Sequence, residues 1–157
     1  MGDSKRFDEM ATLIVRHFPS GKYPTIADVA GGSGLLNKAL SIKGYTVTSY
    51  DGKKRRNIPR NVSIKWKLFD ETIKDDYSLI VGMHPDAATD VIIKSAHDRG
   101  VPFVIVPCCV IPTTTVDSYG GSDWFLFLTR YAQRLGFDTM SYTLKMQGQN
   151  KVLIGRL

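Results

Sequence analysis

The stretch TIADVAGGSGLLNKALSIKGYTVTSYD, residues 25–51, reads as strand, tight turn, helix and strand. TIADVA (25–30) is an apolar run of strand length, and GGSG turns the chain into LLNKALSIKG, a short helix closed by Gly44. YTVTSYD (45–51) follows, built from β-branched and aromatic residues. A strand that leaves through a helix and returns as a strand forms a parallel crossover.

The same alternation continues on both sides. Phe7, Met10, Ala11, Ile14 and Phe18 fall at helical spacing over residues 4–18, so an amphipathic helix opens the chain. VSIKWKLFD (62–70) alternates apolar and polar residues as a half-buried strand does. YSLIVGMH (77–84) predicts a buried strand, then a helix from about Pro85 to Asp98, then the strand PFVIVPCC (102–109). Pro85 suits a first helical position, and Asp86 beside it suits the positive end of the helix. After the loop VIPTTTVDSYGGSD (110–123) comes a helix carrying Trp124, Phe125, Phe127, Leu128, Tyr131 and Leu135 near one face. FDTMSYTLKMQ and KVLIGRL close the chain as two strands joined by a turn at about Gly148 to Asn150.

Strand and helix thus alternate five times before a terminal hairpin. The expected fold is α/β: a mostly parallel sheet with helices on both faces and one antiparallel strand from the hairpin. Residues 1–157 read as a single domain, with no repeats or linkers.

Composition narrows the function classes. The chain has 157 residues, 43% hydrophobic and 23% charged, as in an ordinary globular protein. No apolar run reaches the roughly 18 residues of a membrane span. MGDSKRFDEM has no apolar signal region, so secretion is not expected. Cys108 and Cys109 are adjacent, a spacing that rarely bridges, and no zinc-ligand spacing occurs. Free thiols point to a reducing compartment, the cytoplasm, and no metal site is expected. The net charge of +6 is concentrated in Lys53, Lys54, Arg55, Arg56, Arg60, Lys65 and Lys67.

In an open parallel sheet, ligands sit beyond the carboxyl ends of the strands, where strand order reverses. The first such loop, DVAGGSG (28–34), places Asp28 before Ala30, Gly31, Gly32 and Gly34. Glycines there let the backbone approach a ligand with no Cβ in the way, although a bare strand-to-helix turn has the same composition. Asp51 ends the second strand, where a carboxylate can accept both hydroxyls of a ribose, and Gly52 follows it. Asp70, after the third strand, stands where an adenine amino group needs an acceptor, or is a solvated turn residue. Gly82, His84 and Asp86 lie at the end of the fourth strand, and Cys108 and Cys109 at the end of the fifth.

DVAGGSG resembles the first motif of the class I S-adenosylmethionine-dependent methyltransferases, in which an acidic residue precedes a Gly-x-Gly-x-Gly turn. Ala30 stands in the place of the first glycine. The resemblance covers nearly the whole chain and implies a three-layer Rossmann-like sandwich with seven strands. It implies that Asp28, Gly32 and Gly34 hold the methionine end of S-adenosylmethionine, Asp51 the ribose and Asp70 the adenine. HPDAATD (84–90) and PCC (107–109) further resemble the tRNA ribose 2′-O-methyltransferase family, through His84, Ala87, Ala88, Thr89, Asp90, Cys108 and Cys109. Pro85 and Asp86 replace that family's leucine and cysteine, and its glycine, zinc-finger modules and histidine-rich segment have no counterpart here.

Methyl transfer from a sulfonium needs alignment and, for a protonated acceptor, a nearby base. His84 or Asp86 can take that proton, or His84 packs the pocket and bonds to backbone. The two cysteines are a candidate thiolate nucleophile or substrate contact, or small side chains filling a crowded strand end. The basic run, with Lys53, Lys54, Arg55 and Arg56 nearest the ribose position, is a path for RNA phosphates or a solvated face. Residues 111–123 are long enough to form a lid hinged at Gly120–Gly121. A partner subunit or homodimer fits a chain with so little outside the core fold. The competing expectations are a small-molecule methyltransferase, an NADP-dependent reductase gripping a 2′-phosphate with DGKKRR, and a non-catalytic RNA-binding module. The reductase lacks room for a substrate domain.

Overall fold

A computed structural model describes residues 5–107, 121–146, 148 and 150–157; at 86 and 121–123 it describes the backbone alone. Among the described residues, seven strands form one sheet in the order β3-β2-β1-β4-β5-β7-β6. They are β1 (Thr25–Val29), β2 (Thr46–Tyr50), β3 (Ser63–Lys65), β4 (Leu79–Met83), β5 (Phe103–Val106), β6 (Asp138–Thr143) and β7 (Lys151–Arg156). All neighbours from β3 to β5 pair in parallel, whereas β7 is antiparallel to both β5 and β6. The expected parallel sheet with one antiparallel hairpin strand is what forms.

The helices described are α1 (Arg6–His17), α2 (Leu35–Ile42), α3 (Thr89–Arg99) and α4 (Gly121–Arg134), and they cover it. The central strands are apolar at consecutive positions because both of their faces are buried. Ile26, Leu79, Val81 and Val104 pack with α1 and α2 on one side. Their strand neighbours Ala27, Ile80, Phe103 and Ile105 pack with α3 and α4 on the other. Arg156 ties the end of β7 to α1, donating to the His17 carbonyl at 2.8 Å while its guanidinium stacks over the Phe18 ring. Among the described residues, no helix is long and apolar enough to cross a membrane.

Three expectations are corrected. The five-fold alternation fails, because no helix intervenes between β2 and β3 or between β3 and β4. In the first connection Asn57 (φ 58°) and Asn61 (φ 63°) adopt left-handed conformations that a helix cannot continue through. The strand expected over 62–70 pairs with β2 at three positions only, since β3 is the sheet edge and the chain beyond Lys65 turns away. The helix expected from Pro85 begins at Thr89. A 3₁₀ turn, Asp86–Ala88, precedes it because His84 leaves the strand at φ +50°. Arg99 ends α3, and Gly100 caps it in a left-handed conformation.

Candidate functional site

Strand order reverses between β1 and β4, since the chain passes from β1 outward to β2 and β3 and then returns to β4 on the opposite side. The loops leaving these strands meet at that crevice. After β1, Ala30 turns at φ +56°, and Gly34 enters α2 at φ +85°, a conformation glycine adopts without cost. The Gly31 N–H donates to the Tyr50 carbonyl at 3.1 Å, which lays the turn across the end of β2. A Cβ on Gly31 would collide with the Asp28 carboxylate and the Ser49 side chain, so only glycine fits.

Asp51 locks the two loops together. Its Oδ2 accepts the Gly32 N–H at 2.8 Å and its Oδ1 the Lys53 N–H at 2.9 Å. Arg55 approaches the same Oδ1 at 3.7 Å from a half-exposed position. Asp51 is almost buried, yet it borders an open cavity. Asp28 lies behind Gly31, 1% exposed, and accepts the Ser49 hydroxyl at 2.7 Å. Burial, opposed by that hydrogen bond and aided by the charge of Asp51, pushes the Asp28 carboxyl up to about 7.

The cavity has a volume of about 920 Å³ and runs from Ala30, Asp51 and Gly52 past Phe69 and Asp70 to the outer face of α3. Two of its wall residues are apolar and exposed: Leu68 at 72% and Val91 at 37%. Beneath lies an aromatic cluster in which Phe69 and Tyr77 meet the Tyr50 ring edge-on, at 5.0 and 6.1 Å between centroids. The Tyr50 and Tyr77 hydroxyls bond each other, and burial holds the Tyr50 phenol far above its ordinary range. Arg99 anchors this wall. It donates to the Asp75 carbonyl at 2.8 Å and the Ile73 carbonyl at 2.6 Å, and covers the Phe69 ring.

Of the residues singled out in the sequence, Ala30, Asp51, Gly52, Lys67, Asp70, Ala87, Ala88 and Asp90 stand on the cavity wall. Asp70 is partly occupied: its Oδ1 accepts the Thr72 N–H at 2.9 Å and the Thr72 hydroxyl, and these bonds hold its carboxyl below the usual range. Gly32 reaches the site through Asp51, and Gly34 caps α2 against Ile64. The clearest reason for Gly82 is packing, because a Cβ there would strike Ile92 of α3. His84 sits at the end of β4, partly exposed, with its N–H donating to the Val106 carbonyl at 2.8 Å; it lies off the cavity wall. Lys53, Lys54, Arg55 and Arg56 are all exposed on the loop beside Asp51. The side chain of Asp86, both cysteines and the lid expected over 111–123, apart from the α4 backbone from Gly121 on, lie outside the described residues.

Sequence reasoning passed over Leu68, Phe69, Val91 and Arg99. Leu68 and Val91 carry no motif. Apolar residues at the solvent end of an edge-strand loop and on the polar face of a helix were the available signal.

No family model matches the sequence, and no curated protein does. Solved structures do match in fold. A precorrin-6y C5,15-methyltransferase from Geobacter metallireducens has a TM-score of 0.67 at 10% identity, over 95% of this chain and 89% of that one. A sugar N-methyltransferase from Streptoalloteichus gives 0.64 at 11% identity, over 98% and 87%. The 1,6-didemethyltoxoflavin-N1-methyltransferase of Burkholderia thailandensis, solved with its namesake compound and S-adenosylhomocysteine, gives 0.60 at 12%, over 98% and 77%. The chain therefore has the Rossmann-like fold of the S-adenosylmethionine-dependent methyltransferases.

Proposed function

We propose that this protein binds S-adenosylmethionine and transfers its methyl group to a small-molecule acceptor. The observation that carries the reading is Asp51: a nearly buried carboxylate, fixed by the Gly32 and Lys53 amides, on the wall of a cavity at the switch point of this sheet. A carboxylate so held favours the two hydroxyls of an adenosyl ribose. The same carboxylate disfavours a 2′-phosphate, which would set anion against anion, and this weakens the reductase reading. Leu68 and Val91 offer apolar surface to a flat base, and Asp70 stands on the same wall.

When bound, the cofactor supplies a methyl group already activated on sulfur. The protein's work is then alignment. Asp51 and the glycine turn orient the ribose, and Asp28 faces the turn from behind. His84, at the adjoining strand end, takes the acceptor's proton. Asp86 is the other candidate base, on the turn that follows. The three neighbours described above are named for small acceptors, which supports an acceptor of that class here.

One observation favours RNA as a second reading. Residues 52–69 hold seven basic side chains and no acidic one, while the rest of the chain holds 14 basic and 15 acidic. All the excess positive charge thus lies in the stretch that follows Asp51 in the chain, four of its side chains exposed on the loop next to Asp51, where phosphates would add affinity without choosing sequence. The resemblance of 84–90 to the tRNA methyltransferases points the same way, but the neighbours described above add nothing to it.

Calorimetric titration with S-adenosylmethionine and S-adenosylhomocysteine tests the cofactor. Both are expected to bind, and Asp51→Ala to weaken both at least tenfold; no binding by either would end the reading. Tritium transfer from the cofactor into a metabolite extract, run beside total RNA, decides the acceptor class.

A further inference from the structure

Behind the glycine turn lies a chain of polar groups that is buried except at Ser41, which is partly exposed. Asn37, Ser49 and Asp28 are all at most 1% exposed. The Ser41 hydroxyl donates to Asn37 Oδ1 at 2.9 Å, and Asn37 Nδ2 donates to Ser49 Oγ at 3.0 Å. Ser49 in turn donates to Asp28 Oδ2 at 2.7 Å. The direction of this chain is set by the Ser63 carbonyl, which accepts from Asn37 Nδ2 at 3.0 Å and so fixes which end of the amide is nitrogen. With Asn37 donating into Ser49, the serine proton is left to point at Asp28. Three donors in series end on one carboxyl.

The charges around Asp28 run against that arrangement. Asp51, at the end of β2, is the charged group whose field acts on it, and it is negative. From α2 the facing groups are Asn37 and Ser41, both uncharged. From β4 the paired residue is Val81. The turn in front is glycine, and the nearest cation of α2, Lys38, bonds instead to the Arg60 carbonyl.

We propose that Ser49 and Asn37 are positioning residues that hold Asp28 ready to ionise when a cationic ligand occupies the glycine turn, so that cofactor binding releases a proton. The inference rests on the methyltransferase reading and adds to it a coupling between site charge and buried proton. S-adenosylmethionine brings an ammonium and a sulfonium to a turn set between two acidic groups, Asp28 and Asp51, with Arg55 3.7 Å from Asp51. The proton leaves Asp28 for solvent, the carboxylate is retained by the Ser49 hydroxyl, and no bond in the cofactor changes. Methyl transfer turns the sulfonium into a neutral sulfide. Asp28 then regains its proton more readily, so product binding is the less sensitive to pH.

The test is calorimetry on the full chain between pH 6 and 8.5, in pairs of buffers with different ionisation enthalpies. Proton release on binding S-adenosylmethionine is expected near neutral pH, with affinity falling roughly eightfold from pH 7.5 to pH 6 as the ionised fraction falls. S-adenosylhomocysteine should show the smaller pH dependence. Asp28→Asn should flatten the profile while still binding. Ser49→Ala should move its midpoint to higher pH, because the carboxylate loses its donor; a merely structural role would lower affinity at every pH alike. Binding with no proton release and a flat profile would overturn the inference alone, as would a pH dependence that survives Asp28→Asn. Absence of binding at every pH would overturn the methyltransferase reading itself.

Discussion

His84 is held at φ +50°, where a side chain with a Cβ costs roughly 1–2 kcal/mol over ordinary backbone. Ala30, ending the neighbouring strand, is held at φ +56°. Strain at two strand ends flanking the switch point is the kind of departure that accompanies function. His84→Gly should therefore melt higher than His84→Ala, by about 1 kcal/mol in chemical denaturation, with both variants losing methyl transfer. Equal stability of the two would show that the backbone there is unstrained. Asp28 carries a second residue-scale consequence. Its carboxyl moves from an ordinary 3.8 to about 7 on folding, so the native state binds more protons than the unfolded chain between those values. Ligand-free stability should fall as pH rises from about 4 to 7 and level off above. Asp28→Asn should abolish that slope and leave the protein at least as stable at pH 8. Thermal denaturation across that range reads both.

The wall formed by residues 66–78 is a crossover without a helix, so it depends on contacts from other elements. Arg99 supplies two of them through its bonds to the Ile73 and Asp75 carbonyls, and a third by covering Phe69. Charge-assisted bonds of this kind are each worth about 1.5–3 kcal/mol locally. Arg99→Ala should speed amide exchange through residues 70–77 and weaken S-adenosylhomocysteine, while exchange in β1 and β4 stays slow. Unchanged exchange in that segment would mean the aromatic cluster of Tyr50, Phe69 and Tyr77 holds the wall by itself. The neighbouring connection, 51–62, differs in kind: it has left-handed asparagines and exposed lysines and arginines, with Asp51 holding its start and Lys38 donating to the Arg60 carbonyl near its end.

At the scale of the whole molecule, a ligand that binds only the folded chain stabilises it by about 2.7 kcal/mol at 100 times its Kd. For a domain of this size that corresponds to a rise in Tm of roughly 5–10 °C. S-adenosylhomocysteine should produce it, and a rise caused by NADPH alone would revive the reductase. Charge acts at this scale too. A variant with Lys53, Lys54 and Arg56 all changed to Gln should keep the Tm of the unmutated protein, since these side chains are exposed. If RNA is bound, that variant should lose affinity for it, and the salt dependence of binding should become shallower.

The period of the apolar residues and the single strand–turn–helix of 25–44 were enough to read the sheet, its two buried faces and the switch-point crevice. These features repeat locally, and local repetition survives in a linear sequence. The Asp28–Gly34 turn and Asp51 were legible for the same reason, because each closes a strand. Only the tertiary structure decided that Asp28 and Asp51 face the turn from opposite sides, one buried and one at the wall. It also decided that Gly82 serves packing and that Leu68 and Val91 share one cavity. Those relations join residues distant along the chain through strand order and helix placement, and spacing in sequence carries no record of distances made by the fold.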